Sequence, residues 1–421
     1  MLRSRHMRRA CRLGAAVLAA ALLAACSSSS TSNKPSGSGG AGPAGGTYTL
    51  WDPYPQFDNS SDWVKAIDGC GTSAGVTIKR TGYDTTDLTN KVLLAAQQGK
   101  APNVLVVDNP VVSTLAEGGV LNTTEDLKID TGQVDDNILA AGQLNGKTYG
   151  VPIGANTLAL YYNKKVLRAA GVDIASVKDW ASLTAALAKV TAAGKKGITF
   201  SAVGTEEGTF QFLPWFWGSG ANLTDLSSAA AVSALSLWKD WLAKKYAPND
   251  ALNNNQTTSW QEFATGNYAF SENGTWQLAN AQKAGFPYGI INIPAKTGGS
   301  AAVPTGGEFV TVPVQSGKSK DATSAKIVVC LTSAENAIKT DTALSYVSAL
   351  DSVQTQQVAQ NPALKPWVDA VHSAKGRTSD NLGTKYPKIS EPLWNAIQAA
   401  LSGSASPQSA LGEAQGKASG S

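Results

Sequence analysis

The feature that most restricts the fold is the continuous apolar run in the stretch Asn103 to Val107. A strand that is apolar at successive positions offers no face to water, so it belongs in a sheet covered by helices on both sides. The residues before it supply the rest of such a layer. Thr47 to Trp51 alternates like a strand, and Asn59, Ser60 and Ser61 offer caps for a helix through Trp63 and Ile67. Val76 to Lys79 is a second short strand, and Thr85 or Thr86 caps a helix that turns Leu88, Val92, Leu93 and Ala96 inward and stops at Gly99. Strand, helix, strand, helix, strand predicts an α/β layer.

A second α/β region comes next. Asn145 and Gly146 form a hairpin turn signal inside the run Gly146 to Pro152. Helices are signalled by Trp180, Leu183, Leu187 and Val190, ending at Gly194, and by Val232, Leu235, Trp238 and Leu242, with a strand from Ile198 to Val203 between them. Ser259 and Glu262 read as a capping box. Tyr288 to Ile293 and Phe309 to Val312 are later strands; helices dominate from Asp321, with Pro407 suited to a first turn. No internal repeat is visible. Trp63, Trp180, Trp238 and Trp241 fall at helical spacing and read as core.

The N-terminus decides the compartment. Arg3, Arg5, Arg8, Arg9 and Arg12 precede thirteen residues, Leu13 to Ala25, drawn only from Leu, Ala, Val and Gly. That is a signal peptide, residues 1–25, too short for a membrane span. Arg8 and Arg9 hint at twin-arginine export, but the residues after them match that signal poorly, and ordinary secretion is expected. Leu23, Ala24, Ala25, Cys26 resembles the bacterial lipobox, which implies lipidation of Cys26. Residues 26–46 are then a tether: from Ser27 to Gly46, fifteen of twenty residues are Ser, Gly or Pro, a composition that stays flexible and spans roughly 25 Å. Removing residues 1–25 takes five arginines and no acid, so the formal charge falls from +4 to −1. The scattered lysines that remain form no basic face, and nucleic-acid binding is excluded.

Catalytic signatures are weak. His372 alone survives in the mature chain, which excludes metal sites built on several histidines. Gly71 to Gly75 spells a serine-hydrolase elbow, but with the helix before it and the strand after it, the reverse of what the elbow needs. Gly142 to Thr148 has three residues between its glycines where a phosphate loop needs four. Glu206 and Glu207 are adjacent and point apart, so a glycosidase pair would have to come from elsewhere. No cofactor is expected. Cys70 and Cys330 are left as a pair outside the cytoplasm, either a disulfide or two small buried hydrophobes.

Gly146 to Pro152, Leu158 to Lys164 and Ala170 to Val172, followed by Phe270 to Trp276, Ile293 to Ala295, Thr305 to Glu308 and Tyr386, Pro387 and Ile389, resemble in order and spacing the family 1 extracellular solute-binding proteins, relatives of maltose-binding protein. The resemblance covers nearly all of residues 47–415. It implies a two-lobed periplasmic-binding-protein-like fold of type II, with discontinuous lobes joined by hinge segments: residues 47–154 with 305–350, and residues 155–304 with 351–421. It implies a non-catalytic, monomeric receptor of an ABC importer, anchored to the membrane by lipid, that delivers a carbohydrate, a di- or oligosaccharide, to permease subunits. The alternatives are a secreted glycoside hydrolase and a non-catalytic adhesion lipoprotein.

A neutral sugar needs paired donors and acceptors for its hydroxyls and flat aromatic surfaces for its ring faces. Residues just past parallel strands tend to line the crevice, which nominates Trp51, Asp52, Tyr54 and Gln56, then Asp108 and Asn109. Asn156 sits at the lobe crossing. In the second lobe, Phe210, Gln211 and Trp215 stand in a run too aromatic, and too interrupted by Pro214 and Gly218, for an ordinary core helix; the other reading is a buried hydrophobic hairpin. Trp276 matches the family position where an aromatic stacks on sugar, beside Asn273, and Glu308 is a further candidate acid.

One acyl chain anchors marginally and two or more hold stably. Cys26→Ser is therefore expected to move the protein from the membrane to the soluble fraction; a variant still sedimenting with membranes would contradict the lipobox reading.

Overall fold

The computed structural model describes residues 45–378 and 382–420, the side chain of Thr86 excepted. The signal peptide, Cys26 and all but the end of the tether lie outside the described residues. Among the described residues, no helix is long and apolar enough to cross a membrane.

Among the described residues, thirteen strands follow in chain order: β1 Thr47–Asp52, β2 Thr77–Gly82, β3 Val104–Asp108, the hairpin β4 Gln143–Leu144 and β5 Lys147–Thr148, β6 Val151–Pro152, β7 Leu158–Asn163, β8 Lys196–Thr199, β9 Tyr268–Gly274, β10 Tyr288–Ile291, β11 Pro304–Thr305, β12 Glu308–Thr311 and β13 Lys375–Gly376. They build two main sheets. The first has the order β2-β1-β3-β12-β6, the second β10-β7-β9-β8, and two-stranded pairs join β4 to β5 and β11 to β13. In the first sheet β1 runs parallel to β2 and β3, while β12 is antiparallel to both β3 and β6.

The apolar run dictates how the first sheet is covered. Val104 and Val106, with Val310, pack on one side with Leu50, Trp63 and Ile67. Leu105 and Val107, with Phe309, pack on the other with Leu88, Val92 and Leu115. Successive strand residues point to opposite faces, so both faces must be apolar to bury both helical layers. The second sheet has its own core, in which Leu160, Phe270 and Phe200 meet Trp215, Trp238 and Trp241. Each sheet with its helices forms a lobe.

The chain passes between the lobes on three segments that pair with one another. Ala155 bridges Val347, and Asn156 bridges Gly306. Gly306 and Gly307 permit this approach: a Cβ on Gly306 would lie 2.0 Å from Asn156 Oδ1, and Gly307 has φ +114°, a conformation L side chains rarely take.

Several sequence expectations are corrected here. The aromatic run is helical: Glu206–Gly218 is one α-helix with Pro214 inside it, and every residue from Gly208 to Trp217 is buried. A helix packed on all sides has no polar face to announce it, and burial outweighs the hydrogen bond that Pro214 removes. Ser259 is no cap. Asn255 caps the helix Gln256–Ala264, while Ser259 Oγ donates to the Gln256 carbonyl. The helix Thr85–Gln97 starts after Asp84. Ser61 does cap Asp62–Ser73, and Asn145 and Gly146, at φ 53° and 74°, turn the β4–β5 hairpin.

Cys70, on Asp62–Ser73, and Cys330, on Asp321–Leu331, are joined by a disulfide with Cα atoms 5.6 Å apart, inside the ordinary range for a bridge. It ties two helices on the same face of the first sheet across 260 residues of chain. Long closed loops lose the most unfolded-state freedom, so reduction is expected to cost about 2–4 kcal/mol in chemical denaturation. An unchanged denaturation midpoint with reductant, together with an unchanged mass, would contradict the bridge.

Candidate ligand-binding site

The ends of β1 and β3 and the pair β11–β13 converge where the lobes meet. Asp108 closes β3 and Asn109 opens the helix Asn109–Glu117. Across from them, Glu206 opens the long aromatic helix, and between the two stands Arg377, directly after β13. Its guanidinium grips Asp108 with two bonds, Nη2 to Oδ1 at 2.6 Å and Nη1 to Oδ2 at 3.1 Å. It also donates to Asn109 Oδ1 at 3.1 Å and to Glu206 Oε1 at 2.7 Å, and it lies 4.9 Å from the ring centre of Phe210. Glu206 is held in turn by the Tyr386 hydroxyl at 2.7 Å and by Ser390 Oγ. The side chain of Arg377 is 2% exposed and those of Asp108 and Glu206 are 13% and 28% exposed, so the cation is shielded while its two acids keep some exposed surface.

Phe210 leads to the aromatic surface of the second lobe. Its ring centre lies 6.3 Å from that of Trp276, at 44°. Trp276 is half-buried, and its six-membered ring lies so close to Gly274 that a Cβ there would come within 2.1 Å of it. The missing side chain of Gly274 is what makes room for the indole at this point. On the first lobe, half-buried Trp51 meets Tyr83 edge-on at 5.3 Å. Asn156 is buried at the crossing, paired through its backbone with Gly306, and Gln56 is exposed.

Glu308 lies directly opposite Asp108 in the β3–β12 register. Its Oε2 accepts 2.7 Å hydrogen bonds from both Tyr54 and Tyr346. Burial, and then the neighbouring Asp108 charge, push its carboxyl up from 4.5 to about 7, against the pull of the two tyrosines and Arg377. Tyr54 is buried, and its hydroxyl is spent on this bond.

Four expected ligand contacts are instead structural brackets. Asp52 has no exposed surface: it takes Arg80 Nη2 at 2.8 Å, the Arg80 Nε, the Trp63 indole at 3.2 Å and the Tyr54 amide at 3.0 Å. These fix the turn after β1, and burial still raises its carboxyl above the usual range. Trp215 is fully buried and donates to Glu272 Oε2 at 2.7 Å. Gln211, on the same helix, accepts from the Ser201 amide and donates to the Glu272 carbonyl at 3.2 Å. Asn273 donates to the Gln256 carbonyl at 2.9 Å and accepts the Gly274 amide at 3.0 Å. Trp215, Gln211 and Asn273 all have 0% exposure. Their amides and rings satisfy buried polar groups, as side chains on a helix buried on every side, Gln211 and Trp215, or on a buried strand, Asn273, must.

Sequence reasoning does not reach Glu206, Tyr346, Arg377, Tyr386 or Tyr83 as site residues. Tyr83 follows β2, so the strand-end rule that nominates Trp51 extends to it. Arg377 has no such signal, because only the β11–β13 pairing carries it to Asp108. Among the described residues, one trio, Asp135, Asp351 and His372, brings potential metal-ligand atoms within 4.8 Å. Asp135 Oδ2 there already meets His372 Nδ1 at 3.0 Å.

A sequence model described as bacterial extracellular solute-binding protein matches residues 65–366. This chain belongs to that family. A maltooligosaccharide ABC transporter solute-binding lipoprotein of Streptococcus pneumoniae is 26% identical over 347 residues, 79% of this chain and 78% of that one. A binding protein of Brucella abortus is 32% identical over 118 residues, 26% of this chain, and the match spans just 28% of that relative. The GacH receptor of Streptomyces glaucescens, solved unliganded and with acarbose, superposes with a TM-score of 0.76 at 27% identity, covering 88% of this chain and 97% of that one. The fold of this solute-binding protein is thus the two-lobed type II periplasmic-binding-protein fold, its lobes discontinuous in sequence.

Because Glu308 binds its proton more tightly folded than unfolded, the stability it contributes is full below pH 4.5 and is lost as the pH rises through about 7. Relative to the unsubstituted protein, Glu308→Gln should gain on the order of 2 kcal/mol between pH 5 and pH 8. A stability difference constant across that range would show that Glu308 titrates normally.

Proposed function

We propose that this solute-binding protein is the non-catalytic carbohydrate receptor of an ABC importer, closing its lobes over a neutral di- or oligosaccharide and passing it unchanged to permease subunits. The observation that carries the reading is the half-buried Trp276 indole, set close against Gly274 with Phe210 beside it and with the charged cluster of Asp108, Arg377 and Glu206 adjoining Phe210. A rigid ring face next to fixed donors and acceptors is what a pyranose, apolar on its faces and polar round its rim, needs from a pocket. The maltooligosaccharide receptor of Streptococcus pneumoniae and the acarbose-binding GacH receptor are relatives of matching extent, which supports a carbohydrate ligand.

The division of the lobes is proposed at residues 47–154 with 305–350 and residues 155–304 with 351–421, in keeping with the two sheets. Trp51, Asp108, Asn109, Asn156, Phe210, Trp276 and, from the exposed loop, Gln56 are proposed to face ligand, with Tyr54 and Glu308 beneath them. The mature protein is proposed to be a monomer held to the outer face of the membrane through lipidated Cys26 and the tether of residues 26–46. A glycoside hydrolase would need two carboxyl groups free to act on opposite sides of a bond. Here Asp108 and Glu206 are both committed to Arg377, and Glu308 to two tyrosines, an arrangement that favours binding over turnover.

A thermal-shift screen of mono-, di- and oligosaccharides and polyols tests this, since a binder raises the melting temperature by mass action. With the sugar so found, Trp276→Ala should weaken binding about tenfold or more by calorimetry, while the unliganded melting temperature moves by only a few degrees. Unchanged affinity would remove Trp276 from the site, and a panel without any stabilising sugar would sink the carbohydrate reading.

A further inference from the structure

A second polar cluster forms where the segment that leaves the Ala155–Val347 bridge meets the loop before the short helix Asp136–Leu139. There the Asp135 amide donates to the Ala349 carbonyl at 3.0 Å, and Val134 bridges Leu350. Asp351 follows at once and opens the helix Asp351–Gln360, while His372 closes the helix Lys365–His372. Asn137 Nδ2 reaches the carbonyls of Val371 and Ala374 at 3.3 and 3.4 Å, which anchors the end of that second helix against the same loop. The backbone thus gathers Asp135, Asp351 and His372, whose potential ligand atoms all lie within 4.8 Å of one another.

The hydrogen-bond network fixes which ring nitrogen is available. Gln354 is 4% exposed and its Nε2 donates to the Ser348 carbonyl at 2.9 Å, so its Oε1 is the atom that meets His372 Nε2 at 2.9 Å. An amide oxygen only accepts, so Nε2 carries the ring hydrogen and Nδ1 is left with its lone pair. Nδ1 stands 3.0 Å from Asp135 Oδ2. Two acceptors at that distance repel unless a cation stands with them. Asp135 is not free to turn away: its Oδ1 is held by the amides of Asn137 at 2.9 Å and Ile138 at 3.4 Å, which leaves Oδ2 for the cation. A second proton on the ring would set one positive charge against two carboxylates. A divalent ion supplies two, and balances these three groups.

We infer that Asp135, Asp351 and His372 form a binding site for a divalent transition ion of the zinc class. Zinc takes imidazole nitrogen and carboxylate oxygen at about 2.0–2.2 Å, so two of its ligands sit about 3.3 Å apart in tetrahedral geometry. The 3.0 Å between Nδ1 and Oδ2 is already close to that. Asp351 is exposed at the start of its helix, so rotation of its side chain completes the set, with solvent in the fourth position. Gln354 does what outer-shell partners of ligating histidines do, taking the far N–H and fixing the ring. His372 is 44% exposed, so an ion reaches the site without unfolding the chain. The imidazole argues against magnesium and calcium, which take oxygen ligands. Bound there, the ion ties the loop at Asp135 to the two helices that follow the Val347 crossing, a structural staple that takes no part in binding at the cleft. Such a site owes nothing to the identity of the cleft's ligand.

His372 is the one histidine after the signal peptide, which makes the test direct. Zinc chloride is titrated into the mature protein, purified without a histidine tag and free of sugar, and followed by calorimetry and by the ring-nitrogen NMR signals of His372. One zinc per chain, with the Nδ1 signal moved and the hydrogen still on Nε2, is the expected result, and magnesium chloride should leave both signals in place. Asp351→Asn and His372→Gln alter exposed side chains that cap no helix, so both variants should fold, with melting temperatures in the absence of metal within a few degrees of the unsubstituted protein. Each should weaken zinc binding by at least the about tenfold loss typical of removing an outer-shell partner. An isotherm unchanged by either substitution, no zinc binding at all, or a His372 ring that keeps a hydrogen on both nitrogens with zinc in excess would each overturn the inference. None of these outcomes involves sugar, so the metal site and the receptor reading stand or fall separately.

Discussion

The architecture depends on the pairing of β12 between β3 and β6. Glu308–Thr311 returns to the first sheet after the whole second sheet has been made, and enters it antiparallel, opposite Asp108 to Leu105. A strand that must come home in this way obliges the chain to cross between lobes at least twice, and the bridges of Asn156 with Gly306 and of Ala155 with Val347 bind the crossings into one narrow joint. Two separately cored lobes on a narrow joint leave a cleft between them, and hinge motion about such a joint is the usual behaviour of this architecture.

The same pairing places the chemistry. Because Glu308 faces Asp108 in register, two acids stand side by side at the floor of the cleft, and Glu206 approaches from the other lobe. One guanidinium bonds two of these three carboxyl groups. Like charges at this spacing cannot all ionise in a shielded site. Arg377 takes Asp108 and Glu206, while Glu308 is left to Tyr54 and Tyr346 with its affinity for a proton raised. The division of labour follows from position: the two acids at strand end and helix start meet the cation, and the one buried within the strand meets hydroxyls.

Much of the fold was legible in the sequence because local signals agreed. The apolar stretch before Asp108, the Ser61 cap, the Asn145–Gly146 turn and the spacing of Trp180, Leu183 and Leu187 each point to the element that forms. In the candidate site the order of residues nominates Trp51 and Asp108 because they stand at strand ends and Trp276 by its family position, and their contact with ligand belongs to the proposed function. Asp52 closes a strand too, but Arg80 on the neighbouring strand claims it, and nothing in the order of residues announces that pairing. Gln211 and Trp215 misled because a helix buried on all faces loses its amphipathic period, and its polar groups look available when they are committed to Ser201 and Glu272. Arg377 was invisible for the complementary reason: its importance comes from a contact 269 residues away in the chain.

The central claim is that the lobes close over an unmodified carbohydrate. Its most direct measurement is the distance between the lobes, followed by paired spin labels on their outer surfaces, as the most strongly stabilising sugar is titrated in. A shift of the distance distribution toward the shorter, closed separation, saturating at one sugar per protein, with the sugar recovered intact, is the predicted result. One-to-one binding with the distance distribution unmoved, or recovery of cleaved sugar, would contradict the account.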